Sequence, residues 1–141
     1  MTSSILILDD VEIALTVMKL FLQKAGYSNV ITFDNPHNAL SYIGNMGAPS
    51  FVISDYKMPV MNGLEFLEAV HSICRDVPAI LVSGDAHGIL TRTDKYIVIE
   101  KGCPDFFQKV IGTVNANLNK SQHSPILCSK TGNIAEKTTA G

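Results

Sequence analysis

Tryptophan is absent from this chain, and cysteine occurs only three times in 141 residues. Cys74, Cys103 and Cys128 are odd in number, far apart and without a Cys-x-x-Cys pair. That favours free thiols in a reducing compartment over a disulfide framework. Clustered basic residues are missing as well: 11 Lys and Arg lie scattered against 13 Asp and Glu, for a net charge of -2. Sequence-independent binding to nucleic acid needs grouped cations to neutralise phosphates, so no nucleic-acid partner is expected. No apolar run approaches the ~20 residues of a membrane span. The early run Ile5-Leu8 is too short for a signal sequence, has no basic flank and meets two aspartates. A soluble cytoplasmic protein without membrane contact is the expectation. His37, His71, His87 and His123 share no metal-ligand spacing, so structural or surface roles are expected for them.

What is present is apolar and regularly punctuated. The hydrophobic fraction is 46% and the mean hydropathy +0.20, which suits parallel strands buried on both faces. Strand and helix signals alternate along one domain over residues 1-120. Ser4-Leu8 reads as a strand and Val11-Lys24 as a helix closed by Gly26. Asn29-Phe33 is a second strand, and Pro36-Met46 a helix capped by Asn35 or Asp34. Phe51-Ser54 and Gly63-Ile73 repeat the pair, as do Pro78-Val82 and a weak segment, Ala86-Asp94, whose Gly88 and threonines lower helix propensity. Tyr96-Ile99 and Pro104-Leu118 close the series. Residues 121-141 are polar and lack periodicity, which predicts a disordered tail whose one apolar stretch is Pro125-Ile-Leu-Cys128.

Short right-handed crossovers make this an α/β fold with a doubly wound parallel sheet of five strands and helices on both faces. In such sheets, sites form beyond the carboxyl ends of the strands at the topological switch point. Asp9, Asp10, Asp55, Ser83 and Lys101 all fall at or just past such ends. With the flavodoxin-like order 2-1-3-4-5, the first and third strands are neighbours and the three aspartates converge. Clustered carboxylates repel unless a cation or proton compensates. Hard oxygen donors without His or Cys favour Mg²⁺, or Mn²⁺, over zinc. Lys101 then serves as a point charge for a phosphoryl oxygen, and Ser83 as a hydroxyl donor. One carboxylate is left as nucleophile, and Asp55, central and followed by a tight loop, is the best placed. Singly, these residues have plainer readings: Asp9-Asp10 as a helix cap, Asp55 as a turn residue, Lys101 as a solvated charge.

The string Asp55-x-x-Met58-Pro59-x-Met61-x-Gly63, following the acidic pair Asp9-Asp10 and followed by Ser83 and Lys101, resembles the receiver domain of two-component response regulators across residues 4 to 118. The resemblance implies a signalling switch rather than a metabolic enzyme, fed by a sensor histidine kinase or a histidine phosphotransfer protein and read by an unknown protein target. It implies Asp55 as phosphoacceptor and Mg²⁺ held by Asp10, Asp55 and the Lys57 main-chain carbonyl, with Asp9 acting through water. Ser83 and Lys101 would contact the phosphoryl group. Lys57 and Asp85, two residues beyond Asp55 and Ser83, occupy positions that tune dephosphorylation, and a Lys57–Asp85 pair across the pocket mouth is expected.

Two departures stand out. Gly102 replaces the proline that usually follows the lysine through a cis bond. A cis peptide to a non-proline residue costs ~2.5–4 kcal/mol, so a trans bond is expected here. Val98 replaces the switch aromatic three residues before the lysine, and Tyr96, of the same strand parity, is the candidate substitute. The interval from Ser83 to Lys101 is also about one helical turn short, on a face receivers commonly use for output; another face or a disordered fourth segment is expected to serve instead. Two other readings stay open. A degenerate receiver would bind partners without phosphorylation. A phosphohydrolase with an aspartyl-phosphate intermediate would turn over generic phosphate esters, although Asp9-Asp10 lacks the Asp-x-Asp spacing of the haloacid-dehalogenase type.

Overall fold

The computed structural model describes residues 3-90 and 92-123. Five apolar runs form the strands β1 (Ser4–Leu8), β2 (Asn29–Phe33), β3 (Phe51–Asp55), β4 (Ala79–Ser83) and β5 (Ile97–Glu100). All neighbours pair in parallel, in the order β2-β1-β3-β4-β5, the order expected from the alternating pattern. Parallel neighbours require crossovers. These are α1 (Glu12–Lys24), α2 (Pro36–Met46), α3 (Gly63–Ile73) and α4 (Ala86–Leu90), and α5 (Phe106–His123) follows β5. The chain divides into two units, Met1–Ile111 and Gly112–Gly141. The first holds the whole sheet; the described part of the second is the continuation of α5. The tail predicted for 121-141 lies outside the described residues from 124 onward, and α5 runs three residues past the predicted domain end at 120.

Local signals account for most boundaries. Gly26 takes φ 106, and the amides of Gly26 and Tyr27 return to the carbonyls of Gln23 and Leu22. That double closure ends α1 as the glycine predicts. Asn35 accepts hydrogen bonds from the amides of His37 and Asn38, with Pro36 in the first turn of α2. Asn62 and Glu65 form a reciprocal capping box at the start of α3. Asn62→Ala is expected to cost about 1 kcal/mol in urea denaturation, since it strands the Glu65 amide. An unchanged midpoint would show that the box contributes nothing.

Each strand splits its side chains between two faces. Leu6, Leu8, Val52 and Leu81 join Ala39 and Ile43 of α2 and Phe66, Leu67 and Val70 of α3 in one buried cluster. Ile7, Ile53 and Val82 face the other way, lining a cleft of about 280 Å³ with Met18 of α1, Phe106 and Phe107. Phe21 of α1 stacks on Phe107 with centroids 4.0 Å apart. Burial on both faces is why β1, β3 and β4 read as continuous apolar runs.

Several boundaries differ from expectation: α4 stops at Leu90, four residues before the expected Asp94, α5 runs on to His123, and most other shifts are of one or two residues. β4 begins at Ala79, because Pro78 has no amide to donate; its carbonyl still accepts from Val52. β5 begins at Ile97, leaving Tyr96 just outside the strand. α5 starts at Phe106, after a turn in which Phe106 donates to the Cys103 carbonyl, so Pro104 precedes the helix instead of opening it.

Candidate phosphoryl site

The sheet register brings the predicted residues to one edge. Asp55 is the last residue of β3 and pairs with Val82, one residue before Ser83. Asp9 and Asp10 follow β1 directly, on the other side of β3. The Lys101 amide donates to the Ser83 carbonyl at 2.8 Å, extending the β4–β5 pairing past Glu100 and delivering the lysine to the same edge.

Lys101 bridges two carboxylates. Its Nζ lies 2.9 Å from Asp55 Oδ1 and 3.1 Å from Asp9 Oδ2. No cis peptide bond occurs among the described residues. The Lys101–Gly102 bond is therefore trans, as expected, and the lysine reaches the aspartates all the same. Asp9 is fully engaged, since its Oδ1 accepts from the Val11 amide at 2.9 Å in a turn that leads into α1. Asp9 is not the helix cap itself, since Val11 holds that position without a side-chain cap. Asp10 is exposed. The second oxygen of Asp55 accepts no hydrogen bond among the described residues.

Asp55 is only 6% exposed, and burial is the largest influence on its carboxyl. It pushes the pKa above the ordinary value, helped by the charges of Asp9 and Asp10, while the Lys101 hydrogen bond and charge oppose it. Burial alone would lower the Lys101 pKa, but its hydrogen bond and charge interactions with Asp55, then Asp9, raise it. The lysine stays a cation across the physiological range. One ammonium against three carboxylates leaves the cluster negative.

Ligand oxygens from Asp9, Asp10 and Asp55 all lie within 4.8 Å of one another. Hard oxygen donors, two from buried residues and one from an exposed side chain, fit Mg²⁺ or Mn²⁺, which keep part of their water shell. The uncompensated charge is itself a reason to bind a cation there.

Ser83 is buried, and its Oγ accepts from the Asp85 amide at 3.0 Å. The Lys57–Asp85 pair is not formed: among the described residues no ion pair joins them, and Asp85 Oδ1 accepts from the Gly88 amide at 3.1 Å. The carboxylate caps α4, which competes better for it than an exposed lysine does. Lys57 is exposed in the loop after Asp55. Tyr96 is buried, and its hydroxyl meets His71 Nδ1 at 2.8 Å. Sequence reading gave no sign of two further features near the site. Arg92 donates to the Tyr56 hydroxyl at 3.3 Å, tying the stretch after α4 to the residue beside Asp55. Val60 takes φ 77 with the Met61 amide returning to the Pro59 carbonyl at 2.9 Å, the strained form of the γ-turn.

The family model for the response regulator receiver domain matches residues 5–117. The chain belongs to that family. Among curated receiver relatives, it is 27% identical over 137 residues to the alkaline phosphatase synthesis transcriptional regulatory protein SphR of Synechococcus elongatus, covering 87% of this chain and 51% of that one. It therefore spans about half the length of that relative. It is 28% identical over 109 residues to the two-component response regulator ORR5 of rice, Oryza sativa, covering 76% of this chain and 78% of that one. The receiver fold is shared with solved structures. Chemotaxis protein CheY4 of Vibrio cholerae superposes with a TM-score of 0.72 at 23% identity, over 84% of this chain and 100% of that one. A response regulator receiver domain from Clostridium thermocellum gives 0.71 at 24% identity, over 85% and 97%. Among the described residues of this receiver, no helix is long and apolar enough to cross a membrane.

Proposed function

We propose that this receiver accepts a phosphoryl group on Asp55 from a phosphohistidine of a sensor kinase or phosphotransfer protein, in the cytoplasm, and signals by protein contact. The observation that carries the reading is the asymmetry of Asp55. One oxygen is held by Lys101 at 2.9 Å while the other carries no hydrogen bond among the described residues and is left as nucleophile. Attack on phosphorus forms the O–P bond as the P–N bond to the donor imidazole breaks, and the electron pair leaves with the ring. Lys101 is drawn to the transferred oxygens as a fixed cation, and Ser83 Oγ, an acceptor at rest, turns to donate to another.

Mg²⁺, when bound, supplies charge neutralisation for the phosphoryl oxygens. Asp10, Asp55 and the Lys57 carbonyl are its proposed ligands; Asp9, with both oxygens engaged, is proposed to act through water. Lys57 and Asp85 are retained as residues that tune loss of the phosphoryl group, each acting separately. Val11 and Ile13, 48% and 68% exposed beside the acidic pair, give an apolar ledge that favours a protein donor over a small molecule.

Incubation of the full chain with acetyl phosphate and Mg²⁺ is expected to add one phosphoryl mass, labile to hydroxylamine and dependent on Mg²⁺. A folded chain that forms no adduct would overturn the proposal in favour of phosphorylation-independent binding. Turnover of a generic phosphate ester would instead favour the phosphohydrolase.

A further inference from the structure

Tyr96 stands where the sequence suggests a mobile aromatic, yet every part of its side chain is held. The ring is buried and stacks on His71 of α3 at 5.6 Å with 12° between planes. Its hydroxyl meets His71 Nδ1 at 2.8 Å, and the Lys95 ammonium lies 5.3 Å from its centroid. His71 is fixed in turn, because its Nε2 lies 2.7 Å from the Val77 carbonyl. A carbonyl only accepts, so Nε2 carries a proton. In the neutral ring Nδ1 then accepts from the tyrosine hydroxyl. In the charged ring Nδ1–H donates to that oxygen instead, so the contact survives either protonation state. The contact is a latch.

A different chain of contacts leaves the site. Ser83 Oγ accepts the Asp85 amide, and the Asp85 carboxylate accepts the Gly88 amide in the first turn of α4. A Cβ on Gly88 would meet Asp85 Oδ2 at 2.7 Å, so the carboxylate and this turn are in close contact. Any rotation of Ser83 Oγ toward a new acceptor alters the geometry at the Asp85 amide. The backbone at Ser83 is pinned meanwhile by the Lys101 amide on its carbonyl.

We propose that His71 latches Tyr96 in place, and that the signal from Ser83 passes through Asp85 to α4 instead of through movement of the aromatic ring. The relay rests on the proposed phosphoacceptor role of Asp55; the latch does not. His71 is a positioning residue here and touches no reacting atom.

The test is side-chain and amide ¹⁵N NMR of the full chain, free and with beryllofluoride and Mg²⁺. In the free protein His71 is expected as the Nε2-protonated ring. Tyr96→Phe is expected to move its Nδ1 resonance while leaving those of His37 and His87 in place. On loading, the amides of Ser83 to Leu90 shift while the Tyr96 ring and the His71 nitrogens do not. Asp85→Ala is expected to remove at least about half of the shift at Ile89 and Leu90 while the Asp55 amide still responds. A proton on Nδ1 alone, or an Nδ1 unmoved by Tyr96→Phe, would refute the latch. A Tyr96 ring that moves as far as the α4 amides, or an Asp85→Ala variant with its full α4 shift, would refute the relay. A silent Asp55 amide would sink the phosphoacceptor reading and the relay with it, leaving the latch to be judged on the His71 resonances.

Discussion

Gly63→Ala is expected to destabilise the fold by about 3 kcal/mol or more, lowering the melting temperature by roughly 10 °C. Gly63 opens α3, is buried, and donates its amide to the Tyr56 carbonyl at 2.8 Å. A Cβ at this position would run into the Asp55 carbonyl oxygen and come within 2.8 Å of Leu81 Cδ2 and 2.9 Å of Tyr56 Cα. Two of these three obstacles are backbone, which cannot turn aside as a side chain can. The relief available is to push α3 away from the end of β3, and that displaces Asp55. The variant is therefore expected to lose phosphorylation under conditions where it remains folded. Denaturation followed by circular dichroism checks the first effect and adduct mass the second; a melt within a degree or two of wild type would refute the packing argument. The glycine is needed for close approach, since its φ is not in the left-handed region.

Asp55→Asn is expected to abolish the adduct and, at neutral pH, to make the protein more stable. Burial, with the charges of Asp9 and Asp10, raises the carboxyl's pKa in the folded state. Between the unfolded value and that raised value the native state binds the proton more tightly, so stability falls as pH rises through this window. Above the window, the ionised Asp55 carries the full penalty. Asparagine cannot ionise and keeps an oxygen for Lys101, so it escapes the loss while preserving the contact. Lys101 does not confuse the result. Its pKa is also raised, so its contribution is fully present at neutral pH and disappears only in alkali. Thermal melts from acid to neutral pH should show the wild type falling behind the variant as pH rises. Added Mg²⁺ should narrow the gap by stabilising the wild type more. A variant less stable than wild type at neutral pH would overturn this account.

The strand order and the companions of Asp55 were legible because both depend on pattern. Apolar runs ending on Asp9, Asp55, Ser83 and Lys101 need only the rule of parallel crossovers to meet at one edge. Caps at Asn35 and Gly26 follow from local chemistry in the same way. What stayed hidden depends on contacts between distant segments or on strain. Nothing around His71 announces Tyr96 as its partner, because a histidine near the end of an amphipathic helix normally faces water. Asp85 looked like a partner for Lys57 because spacing alone cannot show that the Gly88 amide lies nearer. Val60 is the least readable of all: a β-branched residue at φ 77 runs against its own preference, and the loop around it imposes the conformation.

The bridge made by Lys101 also constrains the order in which the chain can become itself. Asp9 and its cation are 92 residues apart. During synthesis β1 emerges first, yet its neighbour β3 comes some forty residues later and the lysine later still. The three carboxylates come from β3 and the end of β1, while the lysine that bridges two of them lies past the last strand. That lysine follows β5 directly, so the far edge of the sheet and the compensation of the acidic cluster are tied together.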